Sequence, residues 1–256
     1  MFESSIRIIP RLDIKSGNLI KGINLEGLRV VGNPFDAAIN YYLTGADELF
    51  FHDAVASLYN QNHLGDLLEK ITDKVFIPVT VGGGIRSLED AIYLFERGAD
   101  KIALNTAFVL DPSLISKLSN HFGSQSVVGS IEAKKISETR WEIFTESGRQ
   151  TTGIEIKKWM ETLIEEGVGE ILITSIDKEG MRKGFDLDLA KYLNDHYQVP
   201  IIFGGGFKEP NDLLRLKKEF SFEGITVADY LHYKRGSIGE IKSFAKNYNL
   251  NIREIS

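Results

Sequence analysis

Short apolar runs alternate along the chain with longer stretches whose apolar positions return at helical spacing. In 87–97, Leu88, Ala91, Ile92 and Phe95 fall on one face, and Ser87 with Asp90 resembles a capping box. Similar patterns predict helices over 34–43, 64–72, 112–120, 156–166, 187–195, 209–220 and 237–247. The apolar runs between them predict strands. At 138–151, Trp141, Ile143 and Phe144 precede Ser147-Gly148, which predicts an extra hairpin after the fifth strand.

The pattern also repeats. Val81-Gly82-Gly83-Gly84-Ile85 follows Ile77-Pro78-Val79-Thr80, and Phe203-Gly204-Gly205-Gly206-Phe207 follows Val199-Pro200-Ile201-Ile202. Arg7-Ile8-Ile9-Pro10-Arg11-Leu12-Asp13-Ile14-Lys15 is echoed by Ser126-Val127-Val128-Gly129-Ser130-Ile131-Glu132-Ala133-Lys134. Asp47–Asp53 has a looser echo in 169–175, and 98–106 a worn one in 222–229. Eight strand-helix units in two similar halves predict an α/β fold, a (β/α)8 TIM barrel, ahead of an open doubly wound sheet. We expect one domain over 1–256, with half-barrels of about 1–123 and 124–256, and no interdomain linker.

Composition narrows the function classes. With 256 residues and 43% hydrophobic content the chain has ample core for one large domain. A net charge of −6 provides no basic footprint for nucleic acid. No apolar run approaches membrane-spanning length, and we expect a cytoplasmic protein without membrane contact. There is no cysteine, and the five histidines lack metal-ligand spacing, so we expect neither metal nor cofactor.

In such barrels chemistry gathers where strands end and loops begin. Asp13 closes the first strand and Glu132 the fifth, opposite points of a closed barrel. Two opposed carboxylates serve as general acid and general base when their surroundings separate their pKa values. The plainer alternative is that each caps its strand and pairs with Lys15 or Lys134; the repeat favours a functional site. The glycine turns allow the backbone to approach a ligand closely, which suits a substrate with a phosphate at either end.

Taken together, residues 8–15, Val81-Gly82-Gly83-Gly84-Ile85, Gly98-Ala99-Asp100-Lys101, Asn105-Thr106-Ala107, Phe122-Gly123-Ser124-Gln125 and Ile173-Thr174-Ser175-Ile176-Asp177 resemble the HisF family, the cyclase subunits of imidazole glycerol phosphate synthase. The resemblance runs from about Arg7 to the last helix. It implies a lyase or cyclase subunit of a glutamine amidotransferase complex, with a HisH-like glutaminase docked at the barrel bottom in a heterodimer. Ammonia from that partner would rise through the barrel to a phosphorylated substrate. The resemblance further implies Asp13 and Glu132 as catalytic residues and Arg7, Glu48, Lys101 and Glu170 as an ammonia gate, a ring that a plain salt-bridge lid would also explain. Asp100 matches a position that faces the glutaminase. For the substrate and its phosphates it implies Lys21, Gly83, Gly84, Asn105, Thr106, Thr174, Asp177, Gly180, Gly205, Gly206 and the position of Asp229, with Glu179 beside them. A solvated loop role remains the alternative for Lys21, Asp177 and Glu179. The His52-Asp53 pair at the end of the second strand could tune the mouth, but we read His52 first as a buried, satisfied histidine.

The match is weaker at the top than at the bottom. Glu132 stands where the family has aspartate, and one methylene shifts a base by over an ångström. Arg11 shares the face of Asp13, putting a guanidinium in the lumen where the family has a small uncharged residue. It must find a partner among Glu132, Asp13 and Asp53; engaging Glu132 would lower that pKa. Asp229 replaces a serine at the second phosphate site, where a carboxylate repels phosphate unless it turns to Lys234 or Arg235. Gly204 also replaces a serine, and Met181 a small polar residue. This unevenness makes us expect a divergent paralog that serves amidination of an amino sugar or nonulosonic acid in surface-glycan biosynthesis. The alternatives are an authentic synthase cyclase subunit of histidine biosynthesis and a non-catalytic ammonia conduit.

Overall fold

The computed structural model describes residues 5–54, 56, 64–194 and 197–253. Its strands are β1 (Arg7–Lys15), β2 (Asn18–Ile23), β3 (Glu26–Gly32), β4 (Leu49–Asp53), β5 (Val79–Gly82), β6 (Lys101–Leu104), β7 (Val127–Ser137), β8 (Arg140–Thr145), β9 (Gln150–Glu155), β10 (Glu170–Ser175), β11 (Ile201–Gly204) and β12 (Gly224–Val227). Eight of them, β1, β4, β5, β6, β7, β10, β11 and β12, pair in parallel in that order, and β12 returns to β1. The fold is a closed (β/α)8 barrel.

Period two along the strands divides the interior into two separate apolar clusters. On β1, Ile8, Leu12 and Ile14 point outward into the core under the helices, which also holds Phe51, Ile102, Ile171 and Ile225. Ile9 points the other way and meets Phe50, Ala103, Val128, Leu172 and Ile202 in a compact lumen layer. The last helix, Ile238–Asn247, carries a full capping box between Ser237 and Glu240. It is tied to the barrel by the buried Lys242–Asp47 pair at 2.7 Å, while Asp47 also accepts the Ile8 amide.

The predicted helices are present, those at 34–43 and 156–166 with the predicted bounds and the others with shifted ends. The helix at 64–72 begins at Gly65, the one at 112–120 runs Ser113–Phe122 behind a short Thr106–Leu110 helix, and 209–220 contracts to Asp212–Glu219. The helix at 187–195 ends at Tyr192, and residue 195 lies outside the described residues. At 87–97 only half of the capping box forms: Ser87 accepts from the Asp90 amide, but Asp90 accepts from Arg86 instead of returning to Ser87. The insertion after the fifth strand is larger than one hairpin, because β7 extends into an antiparallel ribbon with β8 and β9. A second ribbon, β2–β3, follows β1 and was not anticipated. Among the described residues no helix is long and apolar enough to cross a membrane.

Candidate active site at the mouth of the barrel

The lumen side chains stack in layers. At the bottom Arg7 donates to Glu48 at 2.9 Å and to Glu170, while Lys101 donates to Glu48 at 3.0 Å and Glu170 at 2.9 Å. Two cations alternate with two carboxylates in a closed ring, and Thr80 donates a further bond to Glu48. Desolvation works against the Arg7 charge, yet Glu170 and Glu48 outweigh it and raise its pKa. Above the ring comes the apolar layer, and above that layer comes Arg11. Asp100 lies outside this ring and accepts from the Val79 amide.

Arg11 settles the partner question in favour of Asp13, not Glu132 or Asp53. Its Nε donates to Asp13 Oδ1 at 2.9 Å, its Nη1 donates to Thr174 at 3.2 Å, and its guanidinium lies over the Phe50 ring. Asp13 Oδ1 also lies 3.2 Å from His52 Nδ1, and Arg11 Nη2 lies 3.5 Å from the same ring nitrogen. His52 thus sits between Asp13 and Arg11 at the end of β4. Burial would raise the Asp13 carboxyl, but Arg11, the His52 bond and Lys21 override it and hold the pKa well below the ordinary range.

Glu132 experiences the opposite balance. Burial raises its pKa, with Asp13 adding to the rise, against the opposing pull of His52, Arg11 and the Gly148 bond. The expectation that Arg11 would lower it through direct engagement is therefore corrected. Glu132 Oε2 accepts from Asn105 Nδ2 at 3.1 Å and the Gly148 amide at 2.8 Å. Both carboxylates are thus tethered through a single oxygen, Oδ1 of Asp13 and Oε2 of Glu132. Neither pairs with Lys15 or Lys134. Gly148 belongs to the Ser147-Gly148 turn visible in the sequence, but its role as a donor to Glu132 was not anticipated.

The first glycine turn opens on a cavity of about 360 Å³ bordered by Gly83, Gly84, Asn105, Thr106 and Glu132. Gly83, at φ 88°, lets the turn pass so close to Asp53 that any Cβ would strike its carbonyl oxygen. Asn105 is less available than expected: its Nδ2 is spent on Glu132 and the Phe144 carbonyl. Thr106 accepts the Glu146 amide and keeps its own hydroxyl proton for a ligand.

The second turn is tight. The cavity beside Gly205 and Gly206 holds only about 20 Å³. A Cβ on Gly204 would collide with Thr226 Oγ1, which accounts for the missing serine there. Asp229 turns to Arg235, whose Nε donates at 2.9 Å, with Arg182 Nε at 3.9 Å, so the carboxylate is paired and not bare. Lys21 is buried and ion-paired to Glu179, not solvated, and it still borders the clefts at the mouth. That pair, with the Asn24 amide donating to the Glu179 carbonyl, fastens the β2–β3 ribbon to the loop after β10. Gly180 is in that loop, packed on Gly22. Asp177 accepts from the Lys135 amide at 2.8 Å and anchors the β7–β8 ribbon beside the mouth. Among the described residues no cluster of three or more His, Cys, Asp or Glu could hold a metal.

The family model described as "Histidine biosynthesis protein" matches residues 7–237. The chain is 54% identical to "Imidazole glycerol phosphate synthase subunit HisF" of Legionella pneumophila over 203 residues, 79% of this chain and 96% of that protein. Subunits of the same name in Bacillus cereus strain AH187 and Streptococcus mutans are 40% and 39% identical over 247 residues, 96% of this chain and 98% of each.

Proposed function

The chain belongs to the HisF family of histidine biosynthesis proteins, and from that premise we propose that it is the cyclase-type subunit of an imidazole glycerol phosphate synthase complex. A HisH-like glutaminase docks beneath the charge ring. Ammonia enters there, rises through the apolar lumen and attacks a phosphorylated small molecule held across the mouth. One observation carries this reading: the Arg7–Glu48–Lys101–Glu170 ring, the apolar lumen layer and the two carboxylates stack along one axis. The proposed location is the cytoplasm.

The surroundings of the two carboxylates suit a division of labour. Asp13, held as a carboxylate, accepts a proton from the attacking nitrogen. Glu132, whose burial favours the neutral acid, delivers one to the departing group through Oε1. Ring closure needs both transfers on opposite faces of one substrate, and the positions at the ends of β1 and β7 supply them.

The test is turnover of the histidine-pathway bisphosphate by the protein alone with excess ammonium salt, then with glutamine and a HisH-type glutaminase. Conversion in both arms supports the proposal, and failure of the folded protein to bind or convert the substrate refutes it. The relatives favour this reading over the surface-glycan paralog, since the names they carry are synthase names. The paralog reading retains two supports, the Arg11–Asp13 pair inside the lumen and the tight second turn with Asp229 beside it. The bare-conduit reading is disfavoured because it leaves the tethered Asp13 and Glu132 at the mouth without a task.

A further inference from the structure

The lumen presents three electrostatic levels in series. The lower ring is neutral, because Arg7 and Lys101 balance Glu48 and Glu170. The layer above it, Ile9, Phe50, Ala103, Val128, Leu172 and Ile202, carries no charge. Next comes the buried Arg11 guanidinium, its Cζ 5.5 Å from the centre of the Phe50 ring. Its donors are committed to Asp13 on its own strand and to Thr174 on β10, with His52 of β4 at 3.5 Å. Burial opposes the Arg11 charge, but Asp13, Glu179 in the loop after β10 and Glu132 on β7 outweigh it. Lys21 of β2 neutralises Glu179, and His232 in the helix after β12 holds the Arg11 carbonyl. A guanidinium does not lose its proton, so a permanent positive charge stands beside Asp13 where the lumen meets the mouth. For a passage that delivers ammonia this has a chemical consequence. A buried carboxylate at the head of such a passage is a trap for the ammonium ion. An ammonium held there has no lone pair to attack with, and it occupies the very oxygen that should take up a proton.

We propose that Arg11 is a cation filter: it fills the cation place beside Asp13, so that ammonium and other small monovalent cations are excluded and neutral ammonia alone reaches the substrate. The inference rests on the reading of the lumen as an ammonia passage. Arg11 is then a specificity-determining residue for the nucleophile. A second unit charge about 4 Å from the guanidinium, at an effective dielectric near 20, is disfavoured by roughly a thousandfold in binding constant. That repulsion cancels the pull of Asp13 on a cation, whereas neutral ammonia feels neither. Ammonium from bulk solution must leave its proton with water before the nitrogen can pass. A lysine here would repel cations as well, while methionine or glutamine would leave Asp13 open to them.

The test is thermal unfolding of the full chain in rubidium chloride, whose cation is ammonium-sized and cannot deprotonate, against tetramethylammonium chloride at equal ionic strength. The samples are wild type, Arg11→Met, Arg11→Gln, Arg11→Lys and the double variant Arg11→Met/Asp13→Asn. Wild type and Arg11→Lys should respond alike to the two salts. Arg11→Met and Arg11→Gln should be stabilised selectively by rubidium, with an apparent affinity at least about tenfold tighter than in wild type. Adding Asp13→Asn should abolish that selectivity. An equal response of both neutral variants to the two salts overturns the proposal. So does a rubidium effect that survives in the double variant or is already present in wild type. Arg11→Gln keeps the test decisive where Arg11→Met fails to fold. Ammonium-driven turnover of wild type, measured on the same sample, separates the two readings. Absent turnover with rubidium-selective neutral variants refutes the cyclase and leaves the filter. Intact turnover with rubidium-insensitive neutral variants refutes the filter alone.

Discussion

Replacing Arg11 by methionine tests the electrostatic account of the mouth most directly. Arg11 and Asp13 are 4% and 6% exposed, and their charged groups meet at 2.9 Å. At an effective dielectric near 20, unit charges about 4 Å apart attract by about 4 kcal/mol. Stranding one member of a buried pair typically costs about 3–5 kcal/mol. Asp13 would keep its His52 bond and the nearby Lys21 charge, so Arg11→Met should lose about 3 kcal/mol at pH 7, at the lower end of that range. The measurement is urea unfolding of wild type, Arg11→Met, Asp13→Asn and the double variant. The cycle should give a coupling of about 2–3 kcal/mol, and the double variant should be more stable than Arg11→Met because no buried carboxylate is left unpaired.

The sign with pH provides an independent check. Because Asp13 has a folded-state pKa below its unfolded value, its contribution is present above the ordinary carboxylate pKa, about 3.9, and is lost as pH falls below it. Without Arg11 that loss shrinks, so wild type and Arg11→Met should converge in acid. A coupling below about 0.5 kcal/mol, or a stability gap that widens on acidification, would refute the claim that Arg11 holds Asp13 ionised.

Three further outcomes are expected. Asp13→Asn should reduce ammonium-driven turnover by about 100–10,000-fold while leaving substrate binding largely intact, measured by single-turnover kinetics and titration. Gly206→Ala places a methyl group against the Gly184 carbonyl at φ 94°, and thermal unfolding should show a loss of about 2–4 kcal/mol. His232 donates through Nε2 to the Arg11 carbonyl at 2.9 Å and accepts from Tyr41; burial, with Lys21 next, pushes its pKa down to about 4 against the opposing pull of Asp13 and the Arg11 carbonyl. Its contribution is complete above the unfolded value near 6.5 and is lost as pH falls toward 4, about 2–3 kcal/mol after allowing for its partial exposure. His232→Gln should flatten urea stability across that window.

The barrel was legible in the sequence because its evidence is periodic. Alternation along β1 puts Arg7, Ile9, Arg11 and Asp13 on one face whatever surrounds them, and the doubled glycine turns mark two strand ends. The charge ring was legible through the family resemblance, with alternation along β1 setting Arg7 and Asp13 at opposite ends of one face. Partner choice was not, because three carboxylates lay within reach of Arg11 and only packing against Phe50 and Thr174 selects among them. The β2–β3 ribbon was missed because its turn uses Asn24 and Leu25 at positive φ, and leucine announces no such turn. Missing it concealed the burial of Lys21. The anchoring of Asp177 was not legible because its partner, the Lys135 amide, lies on a strand extension that ordinary barrels lack.

Under the proposed reading, Arg11 joins two properties that could otherwise vary separately. It narrows the top of the lumen, lying over Phe50 of the apolar layer, and it is the main charge keeping Asp13 ionised. A small residue at this position would widen the passage for ammonia but return Asp13 to a buried carboxyl with weaker opposition to protonation. A lysine would keep a charge but lose the fork that reaches Asp13 and Thr174 together. Lumen width and base strength therefore cannot be adjusted independently here. The longer Glu132, tethered by Asn105 and Gly148 on the opposite side, is the carboxylate left free to hold the proton.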